Sequence, residues 1–377
     1  MQKVLFLTTT HHYNDDRIFF HQAKELKSQG YEVKICSLSS AYKGHLDEIE
    51  VESYSALNQS ITQKIELFQK ICASFQPDCI ICSEPLAVIA AKKYKKRNVS
   101  IVYDITEWYP SMRMVQKYNF LFKILNAVKF FLIQLYAGLI STHYIFGENT
   151  KKFPLAYLYP FRKQLLLPYF PDDVYISKNI KKMDVGKIVV CYTGQISKEK
   201  GIENFFNAID SFRKKRPEVE ISILIVGSTK SGNDELYFSH LLSKFSWKDI
   251  SIGKPVSFEK FTESYAKADV CFDLRDLNFE NNHCLPIKLF YYMASGKPVI
   301  FSNLKATRQH VDVSKFGYLV DPENSDLISD LLISYIENPK KYDVYAHNAR
   351  KEYEEKFNWG IIRDSFVNFI AISINKN

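Results

Sequence analysis

The sequence contains no G-x-G-x-x-G after its first apolar run and no G-x-x-x-x-G-K-[ST] anywhere. Dinucleotide-dependent oxidoreductases and P-loop enzymes rely on those glycine loops to let backbone N–H groups reach phosphate, so both classes lose support. No two histidines stand at metal-ligand spacing on a helix; His11 and His12 are adjacent and point to different faces. The seven cysteines form no regularly spaced framework, and most lie inside apolar runs such as "VKICSL" and "KIVVCYTG". They read as buried thiols of a reducing compartment. Cys79 and Cys82 form a C-x-x-C pair inside "PDCIICSEP", a buried strand pattern with no second pair, which argues against a redox or zinc site. No stretch reaches the roughly 18 uninterrupted apolar residues of a spanning helix. The opening "MQKVLFLTTTHH" is too short in its apolar run for a signal peptide, so a cytoplasmic protein is expected.

What is present is a chain of 377 residues, 46% apolar and 24% charged, a composition of folded domains rather than disorder. The length exceeds one ordinary core, so two domains are expected. The net charge of +8 is concentrated early, at Lys92, Lys93, Lys95, Lys96 and Arg97 and again at Lys117, Lys123 and Lys129. Such a face suits an anionic membrane or a phosphorylated substrate, or is a solvated helix end.

"KVLFLTT", the helical pattern "DRIFFHQAKELKSQG" and "YEVKICSL" make a βαβ unit, which implies a parallel sheet. "PDCIICSE", "VSIVYDIT" and "THYIFGE" continue it, with helices between, the longest being "KYNFLFKILNAVKFFLIQLYAG". Over 160–186 the periodicity lapses, which reads as a linker. "KIVVCYTG", "VEISILIVG", "DVCFDL" and "KPVIFS" then repeat the pattern with helices between them. The fold expected is α/β, with two Rossmann-like doubly wound parallel-sheet domains, residues 1–170 and 171–358, facing a cleft, and a last helix over 359–377 packing back on the first. Open parallel sheets bind ligands at the carboxyl ends of their strands, which directs attention to the loops there.

"YTGQISKEKGIENF" leaves a strand and enters a helix, with Gly194 at the strand end and Lys200-Gly201 at the helix start. Free N–H groups, the positive helix end and an ammonium together attract phosphate; a plain tight turn with a solvated lysine is the other reading. In "VYDITEWYP" a strand ends at Asp104, Thr106 and Glu107, where carboxylates serve catalysis, bind sugar hydroxyls or cap a loop. In "ENNHCLPIKLFYYMASGKP" the polar Glu280, Asn281, Asn282 and His283 crowd the entrance of an apolar helix. Lys288 in its first turns opposes the helix dipole and calls for an anion.

These stretches together resemble the GT-B nucleotide-sugar glycosyltransferases, in particular glycosyltransferase family 4. "PIKLFYYMASGKPVI" is similar to the family's donor-site signature at all positions but one, "YTGQISKEKGIENFFNAI" to the opening of its second domain, and "VYDITEWYP" to its D-x-H-E-x-x-P loop. The resemblance implies a retaining glycosyltransferase that takes a sugar from a UDP- or GDP-sugar. The acceptor would be a saccharide or a lipid-linked sugar in surface polysaccharide or glycolipid assembly.

It implies that Lys200 contacts the donor diphosphate beside Gly194, Gln195 and Gly201, and that the backbone near Val256 cradles the base. The 280–283 loop, Lys288 and Tyr291 would meet the donor sugar, phosphate and ribose, with Asp104, Thr106 and Glu107 on the catalytic side. Neither cofactor nor metal is implied, and nucleic acid is not an expected partner. Residues 117–138, apolar with lysines at intervals, suit either an anionic membrane surface on the inner face or a core helix with a wet edge. Departures from the family pattern are Gln195 for its arginine, Thr106 for its histidine, and His283 and Tyr291 for its paired glutamates. They leave open an inactive scaffold or partner-binding subunit of the same fold, and a sugar-nucleotide epimerase.

Overall fold

The computed structural model describes residues 1–94, 98–107 and 109–375; Lys95, Lys96 and Arg97 of the basic run lie outside the described residues. Two compact units divide the chain: Met1–Tyr169 with Gly360–Asn377, and Phe170–Trp359.

The first unit holds β1 (Lys3–Thr8), β2 (Glu32–Ser37), β3 (Tyr42–Leu46), β4 (Ile49–Ser53), β5 (Cys79–Cys82), β6 (Ser100–Ile105), β7 (His143–Phe146) and β8 (Lys163–Leu166). They form an eight-stranded sheet in the order β3-β4-β2-β1-β5-β6-β7-β8. Every neighbouring pair is parallel except the β3–β4 hairpin. The central strands are the apolar runs: β5 and β6 are buried along their whole length, as a sheet covered on both faces requires. Leu5, Leu7, Ile80, Ile101 and Tyr103 pack with Phe68, Phe75 and Val88 in one core. The Trp359–Asn375 helix reaches this sheet, where the Ser100 hydroxyl donates to the Ser373 carbonyl.

Three strands of this sheet, β3, β4 and β8, do not stand out in the sequence. β3 alternates half-buried and exposed residues and is largely polar, and its hairpin turns at Asp47 and Glu48 in the left-handed region instead of at an Asn-Gly or Asp-Gly pair. β8, "KQLL", falls within the stretch that reads as a linker.

The second unit carries β9 (Lys187–Gln195), β10 (Glu220–Ser228), β11 (Ile250–Gly253), β12 (Val270–Asp273), β13 (Val299–Ser302) and β14 (Gly317–Val320), ordered β11-β10-β9-β12-β13-β14 and parallel throughout. The Ile202–Lys215 helix presents Ile202, Phe205, Phe206, Ile209 and Phe212 to this sheet. The Ile287–Ala294 helix ends at Gly296, whose φ is +68° and where a Cβ would meet Ile180 at 2.4 Å. Lys297 beside it is fully buried and donates to the carbonyls of Asn179, Ala266 and Ala268 at 2.6, 2.8 and 2.8 Å. Burial pushes its pKa down to about 8. That lysine of the "SGKPV" run therefore fastens the 179–180 segment to the unit.

Candidate functional site

In the second unit the site grows from the carboxyl end of β9. The buried Tyr192 donates its hydroxyl to the carbonyls of Gln195 and Lys200 at 2.7 and 3.1 Å, which closes the 195–200 loop on itself. Gly201 then starts the helix at φ +78°, and a Cβ there would lie 1.8 Å from the Leu274 carbonyl oxygen. Only glycine permits that approach of loop to strand end. The Gly201 N–H donates to the Lys198 carbonyl at 2.8 Å, so Gly201 seats the helix with its own N–H taken up inside the loop. Gly194 sits at φ +100°, where a Cβ would stand 3.8 Å from the Lys288 ammonium.

Lys200 lies beside Asn281, 81 positions on. Its ammonium donates to Asn281 Oδ1 and to Glu199 Oε1, each at 3.1 Å. Asn281 is almost fully buried and is itself fixed by its amide on the Asp276 carbonyl and by its N–H on Asn278 Oδ1. The other polar residues of the 280–283 loop close that loop. Asn282 donates to the carbonyls of Leu277 and Asn278 and accepts from Lys305 N–H, His283 contacts the Phe279 carbonyl and ring, and the Glu280 carbonyl accepts from His283 N–H.

Behind Lys200 stands a charged group that the sequence reading did not single out. Asp273, the last residue of β12, is buried and takes the Arg275 guanidinium in a two-pronged pair at 2.9 and 2.5 Å. Lys288 approaches the same carboxylate at 3.4 Å and donates to the Thr193 carbonyl at 2.7 Å. Burial by itself would raise the Asp273 carboxyl; Arg275 and then Lys288 overcome it and hold it at about 2. Burial lowers the Lys288 ammonium below its ordinary value, with Arg275 and Lys200 acting in the same direction. Three cations, Arg275, Lys288 and Lys200, thus act on the one buried carboxylate of Asp273, while Glu199 and Asp276 also act on Lys200; the positive charge gathered around Asp273 favours an arriving anion. The one sequence signal for the missed pair is "FDLRD", an acid ending an apolar strand with an arginine two residues on.

One expected donor contact sits differently. Tyr291 is 3% exposed, its ring edge-on to Phe258 and Phe261 and its carbonyl accepting from Tyr265, so it fills an aromatic cluster rather than facing a ribose. Val256 is exposed in the loop after β11.

In the first unit the expected catalytic role of Asp104 is corrected. It is 1% exposed at the end of β6 and accepts from Arg17 Nε and Nη2, both at 2.9 Å, and from Gln22 at 2.7 Å. The third prong of Arg17 goes to the Leu167 carbonyl. A carboxylate so filled ties strand to helix and has no opening toward a substrate. Thr106 is half-buried, its hydroxyl without a hydrogen-bond partner among the described residues, and Glu107 is exposed.

The polar pair the sequence reading passed over is His11 with Asp15, in the loop after β1, with Nδ1 at 3.0 Å from the carboxylate. Asp15 also caps the N–H groups of Arg17 and Ile18. Burial would lower the His11 pKa, but the hydrogen bond and charge of Asp15, with Glu84 and Glu107 nearby, raise it to about 9. Glu84 anchors the same loop, accepting from Thr8, Thr9 and Thr10. Among the described residues no group of three or more His, Cys, Asp or Glu gathers as a metal site.

Residues 175–352, all within the second unit, match the family described as glycosyl transferases group 1. Over that stretch the second unit is similar to the group 1 glycosyl transferases. An uncharacterized glycosyltransferase of Methanocaldococcus jannaschii is 24% identical over 264 residues; the match covers 70% of this chain and 60% of that relative's length. Among solved structures, the sucrose-phosphate synthase of Thermosynechococcus elongatus aligns over 99% of both chains with a TM-score of 0.76 at 14% identity. The Anabaena protein HepE in complex with UDP-glucose aligns over 99% of this chain and all of its own, with a TM-score of 0.72 at 14% identity. The fold is GT-B, and the stretch that matches the group 1 glycosyl transferases contains Lys200, Asn281, Asp273, Arg275 and Lys288.

Proposed function

We propose that the protein is a glycosyltransferase that moves a sugar from a nucleoside diphosphate sugar to a saccharide or lipid-linked acceptor. The observation that carries this reading is Lys200, held by Asn281 and standing with Lys288 and Arg275 around the buried Asp273, inside the stretch that matches the group 1 glycosyl transferases. The complex of HepE with UDP-glucose supports a uridine nucleotide as the donor to try first.

In the reaction the sugar–phosphate bond breaks and its electron pair leaves with the nucleoside diphosphate, while an acceptor hydroxyl bonds to the anomeric carbon and gives up its proton to the departing diphosphate or to solvent. The main demand is to stabilise charge growing on the leaving diphosphate, and fixed cations meet it without reorganisation. Lys200 contacts the diphosphate; Lys288 and Arg275 act through the field they impose around Asp273. Retention of configuration belongs to this proposal through the family resemblance, and no metal ion is needed for the charge stabilisation described.

A second reading, a GT-B protein that binds a partner without turnover, draws support from Tyr291, which stands at a family glutamate position and is packed in an aromatic cluster. Purified protein incubated with a panel of UDP-, GDP- and dTDP-sugars separates the two. The transferase reading expects slow release of nucleoside diphosphate from at least one donor, lost in Lys200→Ala. No release and no binding across the panel would overturn it.

A further inference from the structure

The Phe120–Ile140 helix is built the wrong way round for a water-soluble surface. It turns Gln134, Ala137 and Gly138 inward and leaves Leu121, Leu125, Val128, Leu132, Tyr136 and Leu139 exposed, a stripe at the 3.6-residue spacing of one helix face. Leu121 and Leu125 are 71% and 64% exposed. Phe153, Tyr157 and Phe161 extend the apolar surface at the helix's C-terminal end, where Tyr159 donates to the Leu135 carbonyl and Arg162 to the Leu139 carbonyl. An exposed apolar face of this length marks an interaction site.

Charge identifies the occupant. Between Glu107 and Glu148 there is no aspartate or glutamate, while Lys117 just before the helix and Lys129 along it are exposed; Lys123 is half-buried on the side away from the stripe. The next acid after Glu148 is Asp172, with Lys151, Lys152, Arg162 and Lys163 between them, and Glu148 itself is buried against Lys151. A protein partner would ordinarily be met by charges of both signs; a face of leucine and phenylalanine in a stretch whose exposed charges are cations fits an anionic bilayer. By length and composition the helix is also long enough to cross a membrane. Its connections argue against crossing. It is the crossover between β6 and β7, which pair directly through Val102 and His143, and Leu155 packs so close to Gly138 that a Cβ there would clash at 2.5 Å. Withdrawing the helix would dismantle the sheet edge, so it lies on the surface.

We propose that this face docks the protein in the plane of an anionic lipid bilayer, with the Leu121–Leu139 stripe at the headgroup–acyl boundary and the exposed Lys117 and Lys129 among the headgroups. The inference is independent of the reaction proposed above. The test is co-sedimentation of the full chain with vesicles of phosphatidylcholine alone or mixed with phosphatidylglycerol. Binding to the anionic vesicles is expected, falling at least tenfold in high salt or without the anionic lipid. At roughly a factor of five per lysine, Lys117→Gln/Lys129→Gln should lose about twenty-five-fold in affinity. Leu125→Glu/Leu132→Glu should abolish binding while leaving the melting temperature unchanged or higher, since both side chains are exposed. Equal binding to both lipids, failure to bind either, or undiminished binding by the glutamate pair would overturn the proposal. So would a lipid-free dimer that the glutamate pair dissolves, because it would make a second copy the occupant.

Discussion

Each unit buries an aspartate at the carboxyl end of a parallel strand and pairs it with a two-pronged arginine, Asp104 with Arg17 in one and Asp273 with Arg275 in the other. The surroundings then diverge. Asp104 completes its bonding with the neutral Gln22, and Arg17 gives its remaining prong to a carbonyl, so the pair is balanced and closed. Asp273 faces a second cation, Lys288, with Lys200 also acting on it, so the charge there is unbalanced. A balanced buried pair joins elements of a fold; an unbalanced one leaves a demand for an anion.

Breaking the balanced pair should have the largest effect on stability. Asp104→Ala leaves the Arg17 guanidinium buried without a counter-charge and should cost about 3–5 kcal/mol in urea unfolding. Asp273→Asn exposes the contrast: it too should destabilise, but UDP should raise its melting temperature by more than it raises that of the wild type, because the ligand supplies the missing negative charge. Asp104→Ala should gain no more from UDP than the wild type does. An equal response of both variants would erase the distinction between the sites.

A smaller effect is expected at His11, which faces Asp15 at contact distance, with Glu84 and Glu107 further off. Its pKa is raised in the folded protein to about 9 from 6.5, so its contribution is fully present below about pH 6.5 and is lost as pH rises through 9. Stability should fall by about 2–3 kcal/mol over that interval, and His11→Gln should flatten the decline. A decline unchanged in His11→Gln would assign it to other groups. Smallest is Tyr291→Phe, which keeps the ring against Phe258 and Phe261: about 1 kcal/mol or less in unfolding and no change in UDP affinity. A tenfold loss of UDP affinity would return Tyr291 to the donor site.

Much of the fold was legible because its central strands are continuous apolar runs separated by helical periodicity, a signal carried locally. The strands that escaped notice, β3, β4, β8, β11 and β14, are short and mostly lie at or near sheet edges, where neighbours and not composition define them. The site divides the same way. Lys200, Gly201 and Lys288 announce themselves by position next to a strand end or helix start. The partnership of Lys200 with Asn281, and of Arg17 with Asp104 across 87 positions, is a product of tertiary packing that no local pattern encodes. Asp104 drew notice because an acid at a strand end suits either a catalyst or an anchor, and only its three donors decide for the anchor.

The central claim is that the unbalanced site in the second unit binds the diphosphate of a nucleotide through Lys200. Titration calorimetry of wild type and Lys200→Ala with UDP and with uridine tests it most directly. Loss of one charge-assisted contact, about 1.5–3 kcal/mol, should weaken UDP roughly ten- to a hundredfold and leave uridine nearly unchanged. An equal loss for both ligands, or none for UDP, would contradict it.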